Sequence, residues 1–436
     1  MTPQTKAIAA ATVGNGLEWV SFSAYALLAD VIARGFFPSA NPTLSLMLTF
    51  AGIGGAYFIR PLGAIVLGGY ADRVGRLPAL MISIKIMVAA TFLITILPDY
   101  DTIGILAPIG MLIAILMQGF SAGGEFGSAT AYLVEQNADR RGFMASWQVA
   151  SQAGATLLVT LVVTLLSGVL EPARFDAWGW RIAFTLGLLL GPIGIYIRRN
   201  LQDSPEFTEV RVEQTRMEQP VRTVFATQKA RMLTVIGVIA VSTAMTYLIS
   251  YMPTFAIRQL GLPTSASFAA TIFVGIILVV GSPLTGHLSD RFGRVRMMTI
   301  AVVLVFVASL PLFLLLRAYP SVIVLGLGLG FLGIVKVWYS GPLSALIAEV
   351  VPVRTRGTGL SISYNVAVAI FGGFTPLVIT GLIATTGTSL APAFWIMLLA
   401  VVSASAVLYA RRFVNAPEPA AAAAVPAGGT TPSAPA

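Results

Sequence analysis

Five ionisable residues stand well inside long apolar runs: Glu18, Arg60, Lys85, Glu125 and Lys336. Their types suit two kinds of chemistry. An arginine offers a carboxylate a fork of two N–H donors and a lysine adds a point charge on a movable stem, so cations at these positions can hold an anion. A carboxylate set among small residues, as Glu125 is in SAGGEFGSA, can carry a proton along the same path, and Glu18 is a second candidate for that task. Covalent chemistry is poorly supplied. The chain has no cysteine and one histidine, His287, which leaves no thiolate, no histidine-centred triad and no His/Cys metal cluster; His287 reads as an interfacial residue. GFSAG at 119–123 has the letters of a serine-hydrolase elbow, but an elbow joins a strand to a helix through a sharp turn. Here the run is apolar and helical, and its glycines read as packing surface. No enzyme activity, cofactor or metal is expected.

The elements that position these charges follow from composition. Of 436 residues 56% are hydrophobic and 10% charged, with a mean hydropathy of +0.85. A water-soluble fold of this length could not cover so much apolar surface, so lipid must be the solvent. Apolar runs long enough to cross about 30 Å of hydrocarbon fall at 8–33, 44–70, 78–97, 103–134, 143–169, 180–198, 232–256, 266–287, 297–316, 321–347, 358–383 and 391–410. The fold class is therefore an all-α integral membrane protein with twelve transmembrane helices. The first run is too long, and followed by too many others, for a cleaved leader. An ionisable group at the bilayer centre costs roughly 2.5–3.5 kcal/mol on insertion scales, so each of the five is expected to face a cavity or a partner.

The formal charge of +9 does not point to nucleic acid. Most Lys and Arg sit in alternate inter-helix segments and at the termini, which places both termini in the cytoplasm of a cell membrane. Residues 199–231 are the longest polar stretch between spans, and Asp203 or Ser204 before Pro205 and Glu206 starts a surface helix there. Residues 1–198 and 232–412 then form two six-helix halves, and 413–436, rich in Ala, Pro and Gly, are a disordered tail.

A repeat joins the halves. GGYADRVGR at 68–76 returns as GHLSDRFGR at 286–294, each between the second and third span of its half. Glu135 with Arg141-Gly142 is echoed by Glu349 with Arg356-Gly357. Glycine permits the tight turn, and Asp72 or Asp290 can accept bonds from free helix-terminal N–H groups or from an arginine. The clustered charges form a cytoplasmic gate: Asp72, Arg73, Arg76, Glu135 and Arg141 in one half, Asp290, Arg291, Arg294, Glu349 and Arg356 in the other. Halves repeated in parallel place a ligand site between them near the midplane.

The duplicated G-x-x-x-D-R-x-G-R in a twelve-span chain resembles the major facilitator superfamily. GNGLEW, RPLGAIVLGGYADRVGR, QGFSAGGEFG, WGWRIAF and RRNLQDSPEF resemble its metabolite:proton symporters, and SLMLTFAGIGGAYFIRPLGAIVLG, SWQVASQ and AIFGGFTP are most similar to the citrate and tricarballylate branch. The resemblance spans about residues 8–412 and implies alternating-access transport, by a monomer, of a citrate-like di- or tricarboxylate with protons. Anion exchange and carriage of α-ketoglutarate, shikimate or an aromatic acid are alternatives, and a carrier-like sensor that binds without transporting is an alternative of a different class. Arg60 and Lys336 would clamp the anion from opposite halves, with Lys85 as a third cation and Tyr25, Tyr57, Trp147, Gln148, Gln152, Tyr339 and Asn365 as polar contacts. Two departures bear on coupling: Ser21 stands where the family usually has aspartate, and Ile115 where it usually has arginine.

Overall fold

Hydrocarbon offers the peptide group no partner, so each crossing must close its own hydrogen bonds, and an α-helix does this within one segment. The computed structural model describes residues 3–40, 42–199, 220–262 and 264–414, and its regular structure is helical throughout. The long elements in chain order are α1 Pro3–Leu27, α2 Pro42–Val74, α3 Arg76–Ile96, α4 Leu106–Glu135, α5 Arg141–Val169 and α6 Arg181–Arg199. They are followed by α7 Lys229–Leu260, α8 Thr264–Phe292, α9 Arg294–Ala318, α10 Val322–Val350, α11 and α12 Ala391–Ala410. α11 runs Arg356–Ala367, passes through a π-helical stretch at Val368–Gly373 and resumes over Thr375–Thr386.

Among the described residues, 10 helices are long and apolar enough to cross a membrane. The two exceptions have physical causes. α1 buries Asn15, Glu18, Ser21 and Ser23, which lowers its mean hydropathy, and α11 is cut by the π stretch into two pieces of 12 residues. The first expected span, 8–33, is also cut. α1 stops at Leu27, Leu28 leaves helical geometry at φ −100 and ψ 13, and a separate helix Ala29–Phe36 follows. Arg34 on that short helix pairs at 2.8 Å with Asp176 in the segment before α6. The expected surface helix near 203–206 and the tail beyond 414 lie outside the described residues; a short helix Pro220–Thr227 leads into α7.

Each half has its own core. Val20 and Tyr25 of α1 pack with Met87 of α3, Met111 of α4 and Phe184 of α6. A second core gathers Met245, Val274, Val302, Leu329, Leu360 and Ile396 from α7 to α12. Small residues set how closely the elements approach. Gly119, Gly123 and Gly127 recur every fourth position along one face of α4. A Cβ at Gly119 or Gly123 would fall on the α2 backbone at Ala56 or Arg60, and one at Gly127 would fall on Ser361 of α11.

The sequence repeat reappears as geometry. Gly68 of α2 packs on Gly357, Thr358 and Ser361 of α11, while Gly286 of α8 packs on Gly142 and Ser146 of α5. These are two seams between the halves, built from corresponding residues. Gly75 and Gly293, at matching positions of the repeated motif, both hold positive φ, 136 and 87, a turn that any side chain would strain.

Because the α2–α4 contact is backbone against backbone, Gly123→Ala should destabilise the protein by about 1–3 kcal/mol. Gly54→Ala on α2, where an added Cβ meets nothing within 4 Å, should leave the melting temperature in detergent unchanged or slightly raised. Equal melting temperatures for the two variants would show that this seam is not close-packed.

Candidate functional site

A cation within the bilayer core has to find compensation inside the protein. Arg60, in the middle of α2, finds it on α1: its Nη2 donates to Oε1 of Glu18 at 3.0 Å, with the two side chains 3% and 5% exposed. The guanidinium also lies over the rings of Phe22 and Tyr57, at 4.5 and 4.9 Å from their centroids. Charge-assisted hydrogen bonding and two π faces therefore replace water around it. Tyr57 continues the cluster across the molecule, since its hydroxyl meets that of Tyr247 on α7 and their rings sit edge to face at 6.0 Å.

Next to this cluster a small cavity of about 40 Å³ lies between the halves. Trp19, Phe126 and Gln152 line it from α1, α4 and α5; Thr246, Tyr247, Lys336, Ser340 and Tyr364 line it from α7, α10 and α11. Phe126 and Tyr364, both on its wall, stack directly on each other with centroids 3.4 Å apart and planes 6° apart. Lys336 is 4% exposed, and its ammonium donates to the carbonyl of Ser242 at 3.1 Å and to Oγ1 of Thr246 at 2.8 Å. Both acceptors are neutral. An ammonium has three N–H donors, so Lys336 keeps one donor and its whole charge for a ligand in the cavity.

The remaining expected ligands separate into distinct environments. Gln152 is on the cavity wall with Lys336, whereas Arg60 and Glu18 are not; Tyr57 and Tyr247 belong to the layer next to them. Tyr25 donates to the Thr49 carbonyl at 3.3 Å and Tyr339 to the Val238 carbonyl at 2.7 Å, each buried in a half's core. Gln148 bonds Asn15 and so ties α5 to α1. Asn365 donates to the Gly123 carbonyl at 2.7 Å and so belongs to the α4–α11 seam. Trp147 packs edge to face on Phe143.

Lys85 departs most from expectation. It is exposed on the same face of α3 as Phe92 and Ile96, which are 53% and 56% exposed, and so points out of the protein. The Glu125 side chain lies outside the described set. Ser21 forms a neutral chain with Thr91 and Gln118, at 2.9 and 3.2 Å, and Ile115 is buried near Tyr25. Sequence reasoning missed Ser242, Thr246, Tyr247 and Tyr364. The signal available for the first two was their spacing of four, which puts two hydroxyls on one face of α7.

At the face that carries the repeated motifs, the charges close the molecule across its two halves. Asp290 accepts from the backbone N–H of Gly142 at 2.8 Å and of Phe143 at 3.0 Å, in the first turn of α5, and from Arg294 at 2.8 Å. Asp290 therefore caps a helix of the other half. Arg294 also reaches Glu349 at 2.7 Å. Arg356 pairs with Glu135 at 3.1 Å, side chains 5% and 0% exposed, and its Nε donates to the Ala348 carbonyl at 3.0 Å. Arg141, grouped with Glu135 by sequence, is half-buried, and Arg73 and Arg291 are exposed; the side chains of Asp72 and Arg76 lie outside the described set. Removing one partner of a buried pair costs about 3–5 kcal/mol. Arg356→Gln should accordingly open this face, read as faster labelling of a cysteine introduced beside Gly142 in a chain that has none of its own. The double exchange Glu135→Arg with Arg356→Glu should restore slow labelling; fast labelling in the exchange would show that the pair is not what closes the face.

A twelve-helix bundle with a central cavity and motif-built closure has known counterparts. The family model described as Major Facilitator Superfamily matches residues 11–364 and 264–435. The chain is 39% identical over 411 residues to the citrate-proton symporter of Klebsiella pneumoniae, covering 93% of this chain and 91% of that one. It is 34% identical over 412 residues to the proline/betaine transporter of Escherichia coli strain K12, covering 91% and 81%. In fold alone it resembles the proton:xylose symporter XylE bound to 6-bromo-6-deoxy-D-glucose, with a TM-score of 0.75 at 17% identity over 94% of this chain and 96% of that one. With a family model matched along nearly its whole length and relatives of comparable span, the chain belongs to the major facilitator superfamily, as a multi-pass secondary transporter.

Proposed function

We propose that this transporter carries a citrate-like di- or tricarboxylate by alternating access, in symport with protons, with its motif face and both termini in the cytoplasm. The observation that carries the reading is Lys336: a buried ammonium on the cavity wall whose bonds among the described residues go to neutral oxygens. Such a group favours an anion over a neutral or zwitterionic ligand, because the anion completes its coordination and its charge together. The kinship with a citrate-proton symporter supports the same class.

Coupling follows from the second cation. While Glu18 is ionised, Arg60 is occupied. A proton on Glu18 would remove the counter-charge and release the guanidinium toward the Tyr57–Tyr247 layer, where a second carboxylate could take the place of Glu18. Arg60 and Lys336 then grip the substrate from opposite halves only when a proton is aboard, which ties proton binding to anion binding. Glu125 is the other candidate carrier of that proton.

A second reading has an observation of its own. Trp19, Phe126, Tyr247 and Tyr364 give the cavity aromatic walls, which suit a quaternary ammonium, and a relative is a proline/betaine transporter. The two readings part at Lys336.

In proteoliposomes, Lys336→Met should raise the KM for citrate counterflow at least about tenfold, a loss of some 1.4 kcal/mol, with Lys336→Arg retaining part of the affinity. Unchanged citrate affinity in Lys336→Met, or counterflow of betaine but not of citrate by the native protein, would overturn the anion reading. Glu18→Gln should keep citrate exchange and lose accumulation driven by a proton gradient. If accumulation survives in Glu18→Gln and fails in Glu125→Gln, the proton travels on Glu125.

A further inference from the structure

Lys85 is a cation that neither the cavity nor the motif face uses. It stands eight residues into the span Leu77–Ile96, roughly 12 Å along the helix from that span's start. Other exposed basic residues in the candidate spans, Lys229, Arg291, Arg296 and Arg317, lie within two positions of a span's end. Their charges reach water directly. The butyl stem of Lys85 covers only part of its depth, and an ammonium left in hydrocarbon would be costly.

Among the described residues nothing supplies the counter-charge, which points to a source outside them. No acceptor for Lys85 occurs among the described residues, and farther along the same face of α3 the exposed side chains, Phe92 and Ile96, are apolar. A second copy does not supply the charge either. The exposed acidic side chains among those described, Asp101, Asp139, Glu171 and Asp176, all lie in the segments between the long helices, at no comparable depth. What remains at a lipid-facing surface is the phosphate of a lipid, which can be drawn inward by local thinning of the leaflet.

We propose that Lys85 binds the phosphodiester of an anionic phospholipid in the leaflet next to the motif face, beside the line where α6 packs on α3. That line is close: a Cβ at Gly194 would fall on Ile84, the residue before Lys85, and one at Gly191 would fall on Val88. A headgroup held at Lys85 sits against the α3–α6 junction, and its acyl chains cover the apolar face that continues through Phe92 and Ile96. The site is lipid-selective because a zwitterionic headgroup brings its own cation to the same place.

The test reconstitutes the native protein and Lys85→Met in phosphatidylcholine alone and in phosphatidylcholine mixed with phosphatidylglycerol. Phosphatidylglycerol should raise the melting temperature of the native protein and appear as a retained adduct in native mass spectra. Lys85→Met should lose both effects, and Lys85→Arg should keep them. An equal response of Lys85→Met would overturn the assignment. So would inorganic phosphate reproducing the stabilisation in lipid-free detergent, which marks a free-anion site, or efficient disulfide dimerisation of Lys85→Cys in membranes, which marks a protein contact.

Discussion

An ion that leaves water for hydrocarbon needs a counter-ion or a set of dipoles, and the arrangement of this transporter follows from how each buried charge is answered. Arg60 is answered by Glu18 and two aromatic faces, Arg356 by Glu135 and a carbonyl, and Asp290 by Arg294 and the first N–H groups of α5. These interactions join different helices, and two of them join different halves. Lys336 is the exception, answered by dipoles alone, and it is the one that borders the cavity. The residual charge of the interior is thus concentrated where a ligand can reach it.

The neutral contacts serve the same end. Glycines at 119, 123 and 127 let α4 lie against α2 and α11 at backbone distance, so α4 touches both the helix that carries Arg60 and the helix that carries Arg356. Phe126, on the same helix, stacks on Tyr364 of the opposite half. Lys336 of α10 and Tyr364 of α11 both line the cavity, and α11 carries Arg356 at its start. One helix therefore borders the cavity and also bears a residue of the pair that joins the halves.

Much of the architecture was readable from the residues. Hydrophobic run length located the crossings, and the repeated motif anticipated that Gly75 and Gly293 would share a turn conformation. The site was less legible, for a physical reason. A membrane helix is apolar on all sides, so periodicity does not tell which face meets lipid and which meets protein. Lys85 and Lys336 look alike in sequence, yet one faces outward and the other inward. Pairing was hidden as well: Glu135 lies six positions from Arg141 in the chain, but the helix packing gives it Arg356. The break of the first span at Leu28 left no proline or glycine to announce it.

The π stretch at Val368–Gly373 gives α11 a change of phase. A single wide turn accommodates about one extra residue, and one residue of an α-helix is about 100° of rotation. The portion before it, with Tyr364 and Asn365, is turned toward the cavity and the seam with α4, while the portion after it is turned toward α12, where Thr375 accepts from the indole of Trp395 at 3.0 Å. One continuous helix thereby presents two unrelated azimuths. Its later part packs with α12 while its earlier part borders the cavity, and the join between them is a short π-helical stretch of backbone rather than a loop.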